Sequence, residues 1–187
     1  MIVEAVLVPL AIGKIRGGKF KNLEKVYIEK WYLLVLSALI ETIASFIRMR
    51  QIEPLWQFLD KNIILIDIII YSLIIMTIYA NRNKRGFKLI LIGVILNGLV
   101  IFANNGKMPV DVSSIKEMIS RESLNLLNDG KDLVHTATGP NTKLEFLADI
   151  LHLKKPYPFP KILSLGDIFM IGGTFLFIQD KMIIESD

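Results

Sequence analysis

The sequence of 187 residues is long enough for one domain and contains no cysteine, which excludes disulfides, thiolate catalysis and cysteine-ligated metals. Hydrophobic residues make up 52% of the chain and charged residues 21%, and the mean hydropathy of +0.49 is high for a soluble protein. The net charge of +4 comes from basic residues in short loops beside apolar runs, which favours a membrane surface over nucleic acid as their partner.

Apolar runs predict about five membrane-spanning helices in a single all-α membrane domain over residues 1–187. The third run has nineteen residues and one charge, Asp67, and a helix of that length, at ~1.5 Å per residue, is about as long as the hydrocarbon layer is thick. The first run is short and contains Pro9, so we expect a tilted, marginal or re-entrant helix there. Lipid requires the backbone to satisfy its own hydrogen bonds, and period-two alternation is absent, so helices are predicted rather than strands. The predicted helices are, in chain order, 1–13, 31–47, 62–80, 89–103 and 162–179.

The basic residues predict the orientation of a multi-pass protein in the bacterial cytoplasmic membrane. The two basic loops, residues 14–30 and 81–88, contain six and four basic residues, whereas residues 48–61 contain three in fourteen. Because basic residues in short loops stay cytoplasmic, we expect the N-terminus and residues 104–161 outside and the C-terminus inside.

Residues 104–161 are predicted to form a cap of two short helices between the fourth and fifth spans. Ser114 with Glu117, and Thr142 with Glu145, have the spacing of a capping box. After Thr142, apolar residues recur on one face of a helix. They are Leu144, Leu147, Ala148 and Leu151. Two such helices are too small to bury a core alone, so we expect them to lie on the outer mouth of the bundle.

Three polar residues, Glu41, Asp67 and Asn97, interrupt the apolar runs. A charge at mid-bilayer costs on the order of 3 kcal/mol, so such a group needs a partner, a proton or a wet cavity. The residues therefore predict either a proton, cation or substrate path or hydrogen bonds between helices.

Ser164-Leu165-Gly166-Asp167 opens the last predicted helix. Gly166-Asp167 resembles the glycine–aspartate motif of intramembrane aspartyl proteases, but Ser164 stands where that motif has glycine, and Asp67 has no matching surroundings. We favour Ser164 as the N-cap and Asp167 at the third helical position, where the helix dipole stabilises a carboxylate.

The two histidines, His135 and His152, offer little for a metal site. Asp149 lies three residues before His152 on the predicted second cap helix, so the two would share a face, with His135 as a third ligand. Two histidines with scattered carboxylates do not form a recognisable zinc pattern, and a surface pair is favoured. We assign no catalytic residue, no metal ligand and no cofactor.

Several motifs together resemble an uncharacterised family of small bacterial polytopic membrane proteins, a domain of unknown function. They are Gly17-Gly18, Asn105-Gly106-x-Met108-Pro109-Val110, His135, Thr142 to Leu144, Leu147, Asp149, and Ser164-x-Gly166-Asp167. The resemblance carries no activity. It implies that residues on the outer side form one ligand or partner site. These residues are Asn105, Met108, Pro109, His135, Asp149, Ser164 and Asp167.

Three functions remain open at this point. The first is a binding or scaffolding component of a membrane complex, not an enzyme, with the lipid bilayer and a protein partner or second copy as its partners. The second is a small transporter or ion-coupled module using Glu41, Asp67 and Asn97, which convergence of these residues on one cavity would favour. The third is a membrane-embedded hydrolase using Asp167 with Asp149 and His135, which would need hydrogen-bond contact among them.

Overall fold

A computed structural model of the chain describes residues 3–112, 127, 132 and 134–183, which are mostly helical. The helices are α1 (Val8–Ile15), preceded by a π-helical turn (Val3–Leu7), α2 (Trp31–Met49), α3 (Leu55–Lys61), α4 (Ile63–Ala80), α5 (Phe87–Ala103) and α6 (Leu165–Ile183). Short 3₁₀ segments are Phe20–Lys25 and Glu145–Leu147, and the strands are β1 (Met108–Val110), β2 (His135–Ala137), β3 (Leu151–Leu153) and β4 (Lys161–Leu163). By length and composition, α2 and α4 could cross a membrane, and α5 is apolar but shorter.

Each of the five apolar segments predicted as a helix contains one. Their long apolar runs contain few residues that interrupt a helix, and Pro9 sits in the first turn of α1, where the missing N–H costs no helical hydrogen bond. The short α3 between α2 and α4 was not predicted.

Neighbouring helices along the chain run antiparallel. The hydroxyl of Thr77, near the end of α4, donates to the carbonyl of Lys30, just before α2, at 3.2 Å. The amide of Asn97, late in α5, donates to Asp167, early in α6, at 3.1 Å. The helices therefore alternate in direction, as expected when short loops join consecutive helices of a bundle.

The two basic loops lie at the same end of the bundle as the end of α6. The side chain of Asn81, 1% exposed, accepts from the N–H of Glu29 at 3.0 Å and donates to its carbonyl at 2.9 Å. The N–H of Lys19 donates to the carbonyl of Met182 at 3.0 Å. These contacts place residues 19, 29, 81 and 182 near one another, far from the strands at the other end.

The first helix packs along the last one in the same direction. Glu4 pairs with Lys161 just before α6, whereas Gln179, near the end of α6, donates to the carbonyl of Pro9 at 2.6 Å. A Cβ atom added at Gly13 would lie 2.6 Å from the sulfur of Met182, so glycine lets the two helices meet closely.

Helices α5 and α6 make the closest crossing in the described bundle. A Cβ atom added at Gly93 would lie 2.4 Å from the carbonyl oxygen of Gly166, and one at Gly173 would lie 2.5 Å from that of Gly86. Small residues permit this close contact between the two backbones.

The all-α prediction is wrong for the segment between α5 and α6. β1 pairs with β2 in parallel, β3 pairs with β4 antiparallel, and Val110 forms a parallel bridge with Asp149. The first predicted cap helix, around residues 114–126, lies outside the described residues.

The second predicted cap helix, over residues 142–151, is also wrong. Leu144 has a left-handed conformation (φ 53°), a single 3₁₀ turn follows, and the chain is extended from Ala148. The hydroxyl of Thr142 accepts from the N–H of Gly139 at 2.8 Å, so it closes a turn instead of capping a helix. Backbone pairing of Asp149 with β1 overrides the local helical pattern.

Candidate functional site

A cavity of about 370 Å³ lies between α2, α4 and α5. Glu41 from α2, Asp67 from α4 and Asn97 from α5 all line it, together with Met170 of α6. The three polar residues singled out in the sequence, from three different helices, therefore meet at one place. Most of the remaining lining is aliphatic, so the cavity combines carboxylates with apolar walls.

Asp67 is the least satisfied polar group of the cavity. Its Oδ2 is buried and has no hydrogen-bond partner within the described residues. Gly106, in the turn after α5 with φ +79°, lies beside it, and a Cβ atom there would be 2.8 Å from that oxygen. The turn therefore needs glycine both for its backbone conformation and for its approach to Asp67.

The α2 wall of the cavity carries a polar row. Glu41, Ser45 and Arg48 follow one another at helical spacing and share a face. The hydroxyl of Ser45 donates to Glu41 at 3.1 Å, and Arg48 donates to Asp60 at 3.0 Å. Arg48 thus has an acidic partner of its own, just before α4. Sequence reasoning missed Ser45 and Arg48, although their spacing from Glu41 could have revealed them.

Asn97 connects the cavity to a hydrogen-bonded network at the start of α6. The hydroxyl of Ser164 donates to Asn97 Oδ1 at 2.8 Å, and Asn97 donates to Asp167 Oδ1 at 3.1 Å. The N–H of Asp167 donates to the Ser164 hydroxyl at 2.9 Å, and the N–H of Ser164 donates to Asp167 Oδ2 at 3.1 Å. This reciprocal pair is a capping box, so the predicted N-cap is confirmed.

The predicted outer site is only partly assembled. Met108 pairs with His135 across β1 and β2, and the carbonyl of Pro109 accepts from the N–H of Asp149 at 3.0 Å. Asn105 lies in the preceding turn with φ 59°. Ser164 and Asp167 belong to the network at the start of α6. The structure therefore divides these residues between two places, the short strands after α5 and the N-terminus of α6.

Asp149 lies at the boundary between them. Burial, and then repulsion by Asp167, raise the pKa of the Asp149 carboxyl from 3.8 to about 7. This carboxyl therefore changes charge near neutral pH.

Each histidine has an acidic neighbour other than Asp149. His135 Nδ1 is 3.4 Å from Asp132, and His152 Nε2 is 3.6 Å from Asp111. The predicted face shared by Asp149 and His152 is wrong, because residues 149–153 form a bridge and a strand rather than a helix. Within the described residues, no three histidines or acids are grouped so as to hold a metal ion.

The chain is thus a mostly helical protein in which two helices are long and apolar enough to cross a membrane, and a cavity lies between its helices. The chain belongs to the DUF5317 family, a family of unknown function whose model matches residues 25–179. The predicted resemblance to an uncharacterised family is thereby confirmed. The chain is also similar to an uncharacterised protein of Thermotoga maritima. The two sequences are 30% identical over 181 residues, which cover 97% of this chain and 92% of the relative. No solved structure matches the chain.

Proposed function

We propose that the chain is an integral protein of the bacterial cytoplasmic membrane with five spanning helices. The antiparallel packing of α2, α4, α5 and α6, with α1 parallel to α6, supports alternating passages through the bilayer. Both basic loops lie at one end of the bundle, which supports a cytoplasmic location for that end. Large apolar side chains are exposed along α2 and α4, as lipid contact requires. They include Leu39, Ile43, Phe46, Leu65 and Ile69.

Within this bundle, we propose that the cavity binds a small organic cation with an apolar body. The observation that carries this proposal is the convergence of Glu41, Asp67 and Asn97 on one cavity. Two carboxylates face aliphatic walls there, and the basic residue in the lining, Arg48, forms a 3.0 Å ion pair with Asp60. A cation with an apolar group satisfies both the Asp67 oxygen that has no partner among the described residues and the walls around it.

Ion coupling follows from the same geometry. A carboxylate surrounded by apolar groups is stabilised either by a proton or by a bound cation, so the two compete for the same oxygen. Binding of the cation therefore releases a proton, and the cavity acts as an ion-coupled module of a small transporter. The scaffolding alternative requires each intramembrane polar residue to bond a neighbouring helix, which holds for Asn97 but not for Asp67 Oδ2 within the described residues.

The test measures binding and proton release together in detergent-purified protein. Benzyltrimethylammonium, a small cation with an apolar ring, is titrated calorimetrically and in weakly buffered solution with a pH indicator. We expect saturable binding with proton release, and a loss of affinity of roughly tenfold or more in Asp67→Asn, because a charge-assisted contact is removed.

Glu24→Gln is the matched control, since this exposed acid lies outside the cavity. It should bind as the wild type does. Binding that is absent in the wild type, or unchanged in Asp67→Asn, contradicts the proposal.

A further inference from the structure

A second cavity, of about 310 Å³, lies at the end of the bundle that contains the basic loops. It is formed by the loop between α4 and α5 together with α6. Its basic and apolar lining residues are Arg82, Lys84, Arg85, Lys88, Leu89 and Leu176. Four cations thus surround a concave surface whose helical side is apolar.

Two contacts join the loop that carries these cations to the helices beneath it. Gly86 has φ +88°, and a Cβ atom there would lie 2.0 Å from the carbonyl oxygen of Gly173, so the loop rests directly on the α6 backbone. Lys84 donates to the buried side chain of Asn81 at 2.5 Å. The cations are therefore presented by a fixed backbone, which lowers the entropy cost of binding an anion.

The charges in this region do not cancel. Lys84 is 3.9 Å from Glu29, and Arg85 is 3.8 Å from Asp180. Arg82 stacks over the ring of Tyr79, 4.2 Å from its centroid. The cavity therefore has four basic side chains and only two neighbouring carboxylates among the described residues. The excess positive charge comes from Arg82 and Lys88, which are both exposed.

The apolar part of the lining distinguishes a lipid from a soluble anion. Leu89 belongs to α5 and Leu176 to α6, and both helices run from this cavity into the proposed bilayer. An adjoining cavity of about 120 Å³ shares Arg85 and Leu176 and adds Arg16 together with Asp180, the carboxylate that pairs with Arg85. Basic pockets between helices on the cytoplasmic side are the surroundings in which anionic headgroups bind.

We propose that this loop cavity binds the phosphate headgroup of an anionic phospholipid, whose acyl chains lie along α5 and α6. The inference rests on the membrane insertion proposed above, but not on cation binding in the other cavity. The cavity holds the headgroup by charge and by shape, unlike the exposed lysines of the first basic loop.

The experiment counts bound lipids on the full chain by native mass spectrometry from a neutral detergent. Dioleoyl phosphatidylglycerol is titrated against dioleoyl phosphatidylcholine. We expect preferential retention of phosphatidylglycerol, and a loss of roughly tenfold or more in its affinity for the double variant Arg82→Gln/Lys88→Gln. Both side chains are exposed, so the variant should keep its fold, which the melting temperature verifies.

Lys14→Gln/Lys21→Gln removes the same charge from exposed positions of the first basic loop and should keep the wild-type affinity. An equal loss in this control, or no preference for phosphatidylglycerol in the wild type, overturns the proposal. So does full displacement of the lipid by an equal concentration of glycerol phosphate, because the ligand would then be a soluble anion. Asp67→Asn should leave lipid binding intact, which separates this outcome from a failure of the cation site.

Discussion

Single aspartates in this chain differ according to what surrounds each carboxyl group. Asp167 is 8% exposed, and both of its oxygens accept hydrogen bonds, from Asn97 and from the N–H of Ser164. Asp149 is partly buried, and both this burial and the charge of Asp167 raise the pKa of its carboxyl. The residue type alone predicts neither situation, because the partner of Asp167 on α5 lies 70 residues away in the sequence.

The raised pKa of Asp149 makes the stability of the segment between α5 and α6 depend on pH. The folded chain binds a proton at Asp149 up to about pH 7, whereas the unfolded chain loses it near 3.8, so unfolding becomes easier as pH rises between these values. We expect the melting temperature of the wild type to fall from pH 5 to pH 8, and that of Asp149→Asn to fall less. Thermal melts of both proteins in detergent check this, and parallel pH profiles would contradict it.

At the scale of elements, a hydroxyl residue three positions before an acid was predicted to cap a helix at three places. The cap at Ser164 is confirmed, the cap at Thr142 is wrong, and Ser114 lies outside the described residues. Ser164 caps α6 because a long apolar helix follows it and its hydroxyl has no competing turn to close. Thr142 has the same spacing to an acid, but its hydroxyl bonds the N–H of Gly139, and β1 captures the backbone at Asp149. The long apolar helices were predictable because a long apolar run is visible within one segment of the sequence. The three-residue strands were not, because each forms only by pairing with backbone that is distant in the sequence.

The crossing of α5 and α6 gives a matched pair of adjacent positions. A Cβ atom at Gly173 would lie 2.5 Å from the carbonyl oxygen of Gly86, whereas at Gly172 nothing lies within 4 Å. Gly173→Ala should cost about 1–3 kcal/mol in the free energy of unfolding, because two backbones must separate.

Gly172→Ala should be neutral or gain up to about 1 kcal/mol, because alanine favours a helix. Denaturation in mixed detergent micelles measures both. Equal effects would show that the crossing is looser than described.

At the scale of the whole molecule, the cavity could be predicted only in parts. The sequence marks Glu41, Asp67 and Asn97 as costly residues in apolar runs, but their meeting point depends on how three helices rotate against each other. The spacing of Glu41, Ser45 and Arg48 was available from sequence and would have indicated one polar face of α2. The contact between Gly106 and Asp67 could not be predicted from the sequence, because it brings a turn against a helical residue 39 positions earlier in the chain.

The proposed orientation can be checked with single cysteines, since the natural sequence has none. Asn83 in the second basic loop and Asn141 in the outer segment are both exposed. A membrane-impermeant maleimide added to intact spheroplasts should label Asn141→Cys and leave Asn83→Cys unlabelled until the membrane is permeabilised. The reverse pattern would invert the topology, and labelling of both in intact spheroplasts would exclude a sealed five-span arrangement.

The pairing of α1 with α6 has a consequence for biosynthesis. Pro9 and Gln179 are 170 residues apart, so the helix that leaves the ribosome early has to wait for a partner made much later. During that interval, the face of α1 at Gly13 lacks the Met182 side chain that packs on it in the finished fold. Docking of α6 against α1 therefore has to follow synthesis of the residues between them.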